Sequence, residues 1–189
     1  MNATTMQTFT GKLIDLANFT AEDVRLPDIS HALSIINRFT GHARVPYSVA
    51  QHSVMVSKIV PHADAMWGLL HDASEAYLGD VARPLKAMLP DYVDLERHVQ
   101  QTIAAAFHLP WPMPASVKAA DNRALMAEKR ELVPGDHDWG IVAEPIAGPI
   151  HPYCWQQSKK LFESRYMELA DDHEAQGRGN GQVSERCGS

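Results

Sequence analysis

Four apolar residues at strict four-residue intervals, Leu95, Val99, Ile103 and Phe107, draw one continuous stripe along a helix spanning 91–108. Three-to-four spacing recurs in Ile29, Leu33 and Ile36, in Val49, Val56 and Ile59, in Val117, Leu125 and Leu132, and in Trp155, Phe162 and Leu169. A chain patterned in this way must bury helix stripes against one another. The expected fold class is therefore all-α, an irregular bundle of six or seven helices with no clear sheet and no internal repeat.

The boundaries follow from caps and breakers. Residues 8–16, TFTGKLIDL, set β-branched residues around a Thr-Gly pair and read as an extended strand or small hairpin within an N-terminal arm at 1–27. Asp28 and Ser30 are the expected caps of a first helix that ends near Gly41. A second helix should start within 46–48 and stop before Pro61, and a third should span 62–78, closed by Gly79. After Pro84 a short helix reaches Leu89, the 91–108 helix follows, LPWPMP breaks the chain, and Pro114 opens the next helix. The Pro/Gly-rich stretch 133–152 is expected as a long loop, followed by a last helix over 152–172 that buries Trp155, Phe162 and Leu169. One domain thus covers 1–173, and the polar tail 174–189 is expected to be disordered.

Composition narrows the class of function. At 189 residues the chain can bury about 70% of the surface its unfolded form exposes, enough for a real core. A net charge of −6 provides no basic field for polymeric DNA or RNA. Two cysteines, Cys154 and Cys187, make no disulfide framework and favour a reducing, cytoplasmic setting. The absence of any 18-residue apolar run points to a soluble chain without a membrane partner. Ten histidines stand out from this background.

The dipeptide His71-Asp72 in GLLHDASEAYLGD lies where Leu69 and Leu70 lead an apolar stripe inward. A carboxylate carried inward beside an imidazole is costly unless paired, and a divalent cation is a suitable partner. Glu75, four residues after His71 and three after Asp72, overhangs the same face as a nearby base. A second pair, His137-Asp138, sits in the Gly/Pro loop and reads as a solvated turn. A further ligand must come from another helix. His52 lies on the stripe of Val49, Val56 and Ile59, although a lone histidine there is more often a hydrogen-bonded core residue. Asp121 stands between Val117 and Leu125 where a leucine would be expected. Such a mixed N/O set suits Mn, Co, Fe, Zn or Ni better than Ca.

The ordered series His52, HDASE at 71–75, GD at 79–80, PLK at 84–86 and VKAAD at 117–121 resembles the HD-domain 5'-deoxynucleotidases and the related phage deoxynucleoside triphosphate hydrolases, over about 38–132. The resemblance implies an HD-domain bundle with His52, His71, Asp72 and Asp121 as ligands of a divalent metal (Co, Mn, Zn, Fe, Ni or Mg). It implies that Glu75 orients or deprotonates the attacking water and that Asp80 lies at the sugar and metal side of the pocket. It further implies a homo-oligomer acting on small deoxynucleotides.

Two positions depart from that pattern. Those enzymes carry an Arg-Trp pair where this chain has Arg38-Phe39, and a small hydroxyl residue near Arg83. Phe39 can still stack on a base or sugar. Arg83 beside Lys86 offers an extra guanidinium for phosphate, favouring triphosphates as well as monophosphates, with a surface pairing to a nearby acid such as Asp80 or Glu75 as the alternative. Arg38, Phe39, Arg83 and Lys86 are thus the candidate substrate-binding residues. Cyclic-nucleotide or alarmone phosphodiesterases of the same superfamily, a silent nucleotide-sensing scaffold, and a metal-free structural role for the cluster are the rival readings.

Overall fold

The computed structural model describes residues 3–181. The described chain is mostly helical, with one two-stranded antiparallel sheet, β1 (Thr5–Gln7) against β2 (Leu13–Asp15), pairing Met6 with Ile14. The expected arm is thus a hairpin, reversed at Gly11, whose φ of 83° suits glycine. Ile14 is buried, so this hairpin is a flap packed on the helices rather than a separate layer.

Helix α1 (Leu26–Ile35) begins and ends earlier than its caps suggested. Pro27 occupies the first turn, so Asp28 and Ser30 fall inside the helix and are buried. Their polar atoms turn to tertiary partners. Asp28 accepts from the backbone N and the hydroxyl of Thr10 at 2.7 and 3.0 Å, and Ser30 donates to Glu163 at 2.8 Å. Past Ile36 the chain turns into an extended bridge between Asn37 and Ser48, which ends the helix well before Gly41.

Helix α2 (Val49–Ile59) starts at Ser48, whose side chain accepts from the backbone N of Gln51. It packs on α1, α3 (Ala65–Leu70), α7 (Ala115–Leu132) and α8 (Trp155–Gly181). Its closest neighbour is α3. A Cβ on Gly68 would stand 2.8 Å from the Ser57 Cα, so only glycine permits this crossing.

The expected single helix over 62–78 is interrupted. A 3-10 turn (His62–Asp64) leads into α3, and α4 (Glu75–Leu78) resumes after a gap of four residues, 71–74. The cause is a side chain from outside the segment. Gln100 of α6 (Pro90–Ala106) donates from Nε2 to the Leu70 carbonyl at 2.8 Å and accepts at Oε1 from the Ser74 N–H at 3.0 Å. Those two backbone groups would otherwise bond each other, so the inserted amide opens the helical ladder. Gly79, at φ 80°, closes α4 as expected.

Beyond α5 (Arg83–Lys86), the α6 stripe faces the core. Val99 and Ile103 are fully buried, and Leu95 and Phe107 pack against them. Residues 133–152 form the expected loop, tied down at Arg123 and Arg130 and by Gln51, which bonds the His151 carbonyl and the Tyr153 N–H. In α8, Phe162 and Leu169 are buried, but Trp155 is 43% exposed. It opens the helix beyond the core stripe and sets its indole edge-on to His31. The helix continues to Gly181, past its expected end at 172, and the remaining tail lies outside the described residues. Among the described residues no helix is long and apolar enough to cross a membrane.

Candidate metal centre

Three segments converge where α2, the turn between α3 and α4, and α7 meet. His52, fully buried, faces His71 with 3.2 Å between their Nε2 atoms. Asp72 Oδ2 is 3.2 Å from His71 Nε2 and 3.7 Å from His52 Nε2. Ligand atoms of His52, His71 and Asp72 all lie within 4.8 Å of one another, close enough to share one ion. Asp121 adds Oδ1 at 3.3 Å from His52 Nε2.

The outer nitrogens decide what the inner ones can do. His71 Nδ1 donates to the Gly68 carbonyl at 2.8 Å, and a carbonyl can only accept, so the proton sits on Nδ1. His52 Nδ1 donates to Glu128 Oε1 at 2.6 Å. Burial disfavours the Glu128 carboxylate, but Arg38 and His52 outweigh it and lower its pKa, so Glu128 is an ionised acceptor. Both Nε2 lone pairs therefore point into the same small space, a repulsive arrangement that a cation relieves. Either a proton or a metal ion answers this need. Burial and the Arg38 charge oppose protonation of His52, yet Glu128 and Asp121 push its pKa up to about 9. Two imidazoles fixed from behind by hydrogen-bond acceptors, with carboxylates beside them, form a group that could hold a metal ion.

The carboxylates are set for opposite tasks. Burial works against ionisation of Asp72 and Asp121, but the histidines hold both well below the usual carboxylate range. Glu75 goes the other way. It is 5% exposed, and burial with the Asp72 and Asp80 charges raises its pKa well above the ordinary value. Its Oε2 is buried and has no hydrogen-bond partner among the described residues, while Oε1 is 4.0 Å from Lys86 Nζ. Burial and Asp72 also raise Asp80, against Arg38 and Lys86.

Each expected substrate residue lies near this cluster but already has a partner. Arg38 is buried, with Nε on Glu128 at 3.0 Å and Nη1 3.5 Å from Asp72. Arg83, half exposed, pairs with Asp121 at 3.2 Å and with Asn122, so its acid is neither Glu75 nor Asp80. Lys86 bonds Glu96 at 2.5 Å. Phe39 sits at a left-handed φ of 58°, with its ring 6.1 Å from that of Trp139 on the long loop. His137 and Asp138 are exposed, and Asp138 closes a turn on the Gly140 N–H, as expected for a solvated pair.

The residues absent from the sequence reading are Glu128, Lys118 and Gln100. Glu128 lies seven residues after Asp121 on the same face of α7, between Leu125 and Leu132. A second acid on that apolar stripe was the available signal. Lys118 supplies a 2.7 Å contact to Asp121 Oδ2 that turns Oδ1 toward the histidines.

The fold and cluster define a helical protein with a His/Asp group able to hold a metal ion. Its relatives are of the same breadth. The uncharacterized protein YfdR of Escherichia coli is 36% identical over 170 residues, covering 88% of this chain and 96% of YfdR. An uncharacterized protein of Rhodobacter capsulatus is 33% identical over 136 residues, covering 65% of this chain and 69% of that protein. This chain belongs to the family of these two proteins. No family model matches it.

Proposed function

We propose that this protein is a metal-dependent phosphohydrolase of the HD superfamily that acts on 2'-deoxynucleotides. The observation that carries the reading is the pair of back-anchored imidazoles, Nε2 to Nε2 at 3.2 Å, flanked by Asp72 and Asp121 and overhung by Glu75, whose buried Oε2 has no hydrogen-bond partner among the described residues. The ordered motifs shared with deoxynucleotidases support the same conclusion.

His52, His71, Asp72 and Asp121 would hold the ion. A bound divalent metal supplies Lewis acidity toward a phosphoryl oxygen and lowers the pKa of its water. Glu75 then orients the attacking water and takes its proton at Oε2, and its raised pKa is the direction a base working near neutral pH requires. The water oxygen forms a new P–O bond as the bond to the leaving oxygen breaks. Arg83 and Lys86 stand at the acid-rich face, where their charges offset those of phosphate oxygens. Phe39 and Trp139 offer aromatic faces for a base.

The test is product analysis on deoxy- and ribonucleoside mono- and triphosphates with Mn, Co, Zn or Mg. Inorganic phosphate from a deoxynucleoside monophosphate identifies a 5'-deoxynucleotidase. Tripolyphosphate from one deoxynucleoside triphosphate identifies a triphosphohydrolase. No hydrolysis with any metal overturns the proposal.

A further inference from the structure

The buried glutamine that divides α3 from α4 has both of its hydrogen bonds at one place. Gln100 is 8% exposed and lies among Val99, Ile103 and Ala104 of α6, where an unpaired amide would be costly. Its Nε2 donates to the Leu70 carbonyl at 2.8 Å and its Oε1 accepts from the Ser74 N–H at 3.0 Å. In an uninterrupted α-helix, the residue-74 N–H donates to the residue-70 carbonyl. The amide thus replaces one rung of the ladder, and the rung it replaces brackets His71, Asp72 and Ala73.

The effect is local. His71 and Ser74 keep right-handed helical dihedrals, φ/ψ of −64/−30° and −60/−28°, so the chain keeps its course. The hydrogen bonds change. Ala73 N bonds Leu70 O at 3.0 Å, Glu75 N bonds Asp72 O at 3.0 Å and Ala76 N bonds Ala73 O at 3.2 Å, a tighter winding than α. Within this turn His71 Nε2 and Asp72 Oδ2 stand 3.2 Å apart, so both ligand atoms rise from the stretch of backbone that the Gln100 amide brackets.

We propose that Gln100 is a positioning residue for the metal centre: by taking the place of the 74-to-70 hydrogen bond it holds the turn in which His71 and Asp72 converge on one ion. The proposal rests on the metal reading of that cluster. Among the described residues the Gln100 amide bonds backbone groups on either side of His71 and Asp72, so its influence passes through the backbone of the turn.

The experiment uses the full chain and three variants. Gln100→Met keeps side-chain length and removes both bonds, allowing the ladder to close. Gln100→Glu keeps an acceptor for Ser74 and loses the donor to Leu70. Asp72→Ala is the control for loss of a ligand. Cobalt(II) affinity and the cobalt visible absorption spectrum are measured on samples whose circular dichroism is native. Gln100→Met should bind cobalt at least about tenfold more weakly, with an altered spectrum, and Gln100→Glu should fall between it and wild type. A role in stability alone would lower Tm and leave the spectrum unchanged, and an unchanged affinity and spectrum in Gln100→Met overturn the proposal. If Gln100→Met does not fold, the Gln100→Glu comparison decides by the same criteria. If wild type binds no cobalt, the metal reading fails on its own. Gln100 is then judged by imidazole ¹⁵N shifts of His71 in the metal-free variants, and wild-type shifts would overturn its positioning role.

Discussion

Glu128 is fully buried and meets two N–H donors with its two oxygens: His52 Nδ1 at 2.6 Å and Arg38 Nε at 3.0 Å. Glu128→Gln changes almost no volume but leaves one acceptor oxygen for two donors. If that oxygen stays on His52, the amide NH₂ confronts Arg38 Nε–H, and the buried guanidinium is left with its 3.5 Å contact to Asp72 and its place over the Phe39 ring. If the amide flips, its NH₂ faces His52 Nδ1, the imidazole proton must move to Nε2, and that proton occupies the side turned toward His71. The first arrangement strands a buried donor, at about 1–3 kcal/mol of stability. The second blocks the ligand nitrogen. A lost outer partner of a metal-bound histidine costs about 10–100-fold in metal affinity, or roughly 1.4–2.7 kcal/mol. Zinc or cobalt binding, read by competition with a chromophoric chelator alongside thermal denaturation, should show a lower Tm if the first arrangement holds and a weaker affinity if the second does. An affinity within twofold of wild type with an unchanged Tm would refute the tautomer argument.

Glu75→Gln should retain bound metal and lose about 10²–10⁴-fold in kcat, whereas Asp72→Ala should lose metal and turnover together, as read by elemental analysis and phosphate release. Trp139→Ala should raise KM several-fold with little change in kcat, since one aromatic contact contributes about 0.5–1.5 kcal/mol. His31 stands outside the His/Asp cluster, stacked on Phe9 at 3.6 Å. Burial and the Lys159 charge lower its pKa, against Asp28. The unfolded chain therefore binds more protons at this site below about pH 6.5, and stability is lost as pH falls through that range. His31→Gln should flatten the fall in urea midpoint between pH 7.5 and 5.5, and an identical slope would exclude the effect.

Legibility of the fold and site tracked the range of the interactions involved. Helices α2, α6 and α7 were readable because each carries its own apolar stripe, and Ser48 and Gly79 end their elements by local chemistry. His52, His71, Asp72 and Asp121 were readable as polar residues on such stripes. The break after Leu70 was not, because its cause lies 30 residues away in Gln100. The caps assigned to Asp28 and Ser30 failed for a related reason: their partners, Thr10 and Glu163, are tertiary. The roles of Arg38 and Arg83 depended on which acids they would meet, and spacing along the chain does not contain that information.

Gly68 passes so close to Ser57 that a methyl group could not be added without moving one helix from the other. One of those helices carries His52, and the other ends where His71 begins. The missing side chain consequently acts as a gauge on the bite of the two imidazoles. Zinc accepts nitrogen and oxygen ligands at about 2.0–2.2 Å, while calcium takes oxygens at about 2.3–2.6 Å. A change of a few tenths of an ångström in helix spacing therefore spans much of the difference between ions. The spacing at which the cluster could hold an ion is thus set in part by a residue that contributes no ligand atom.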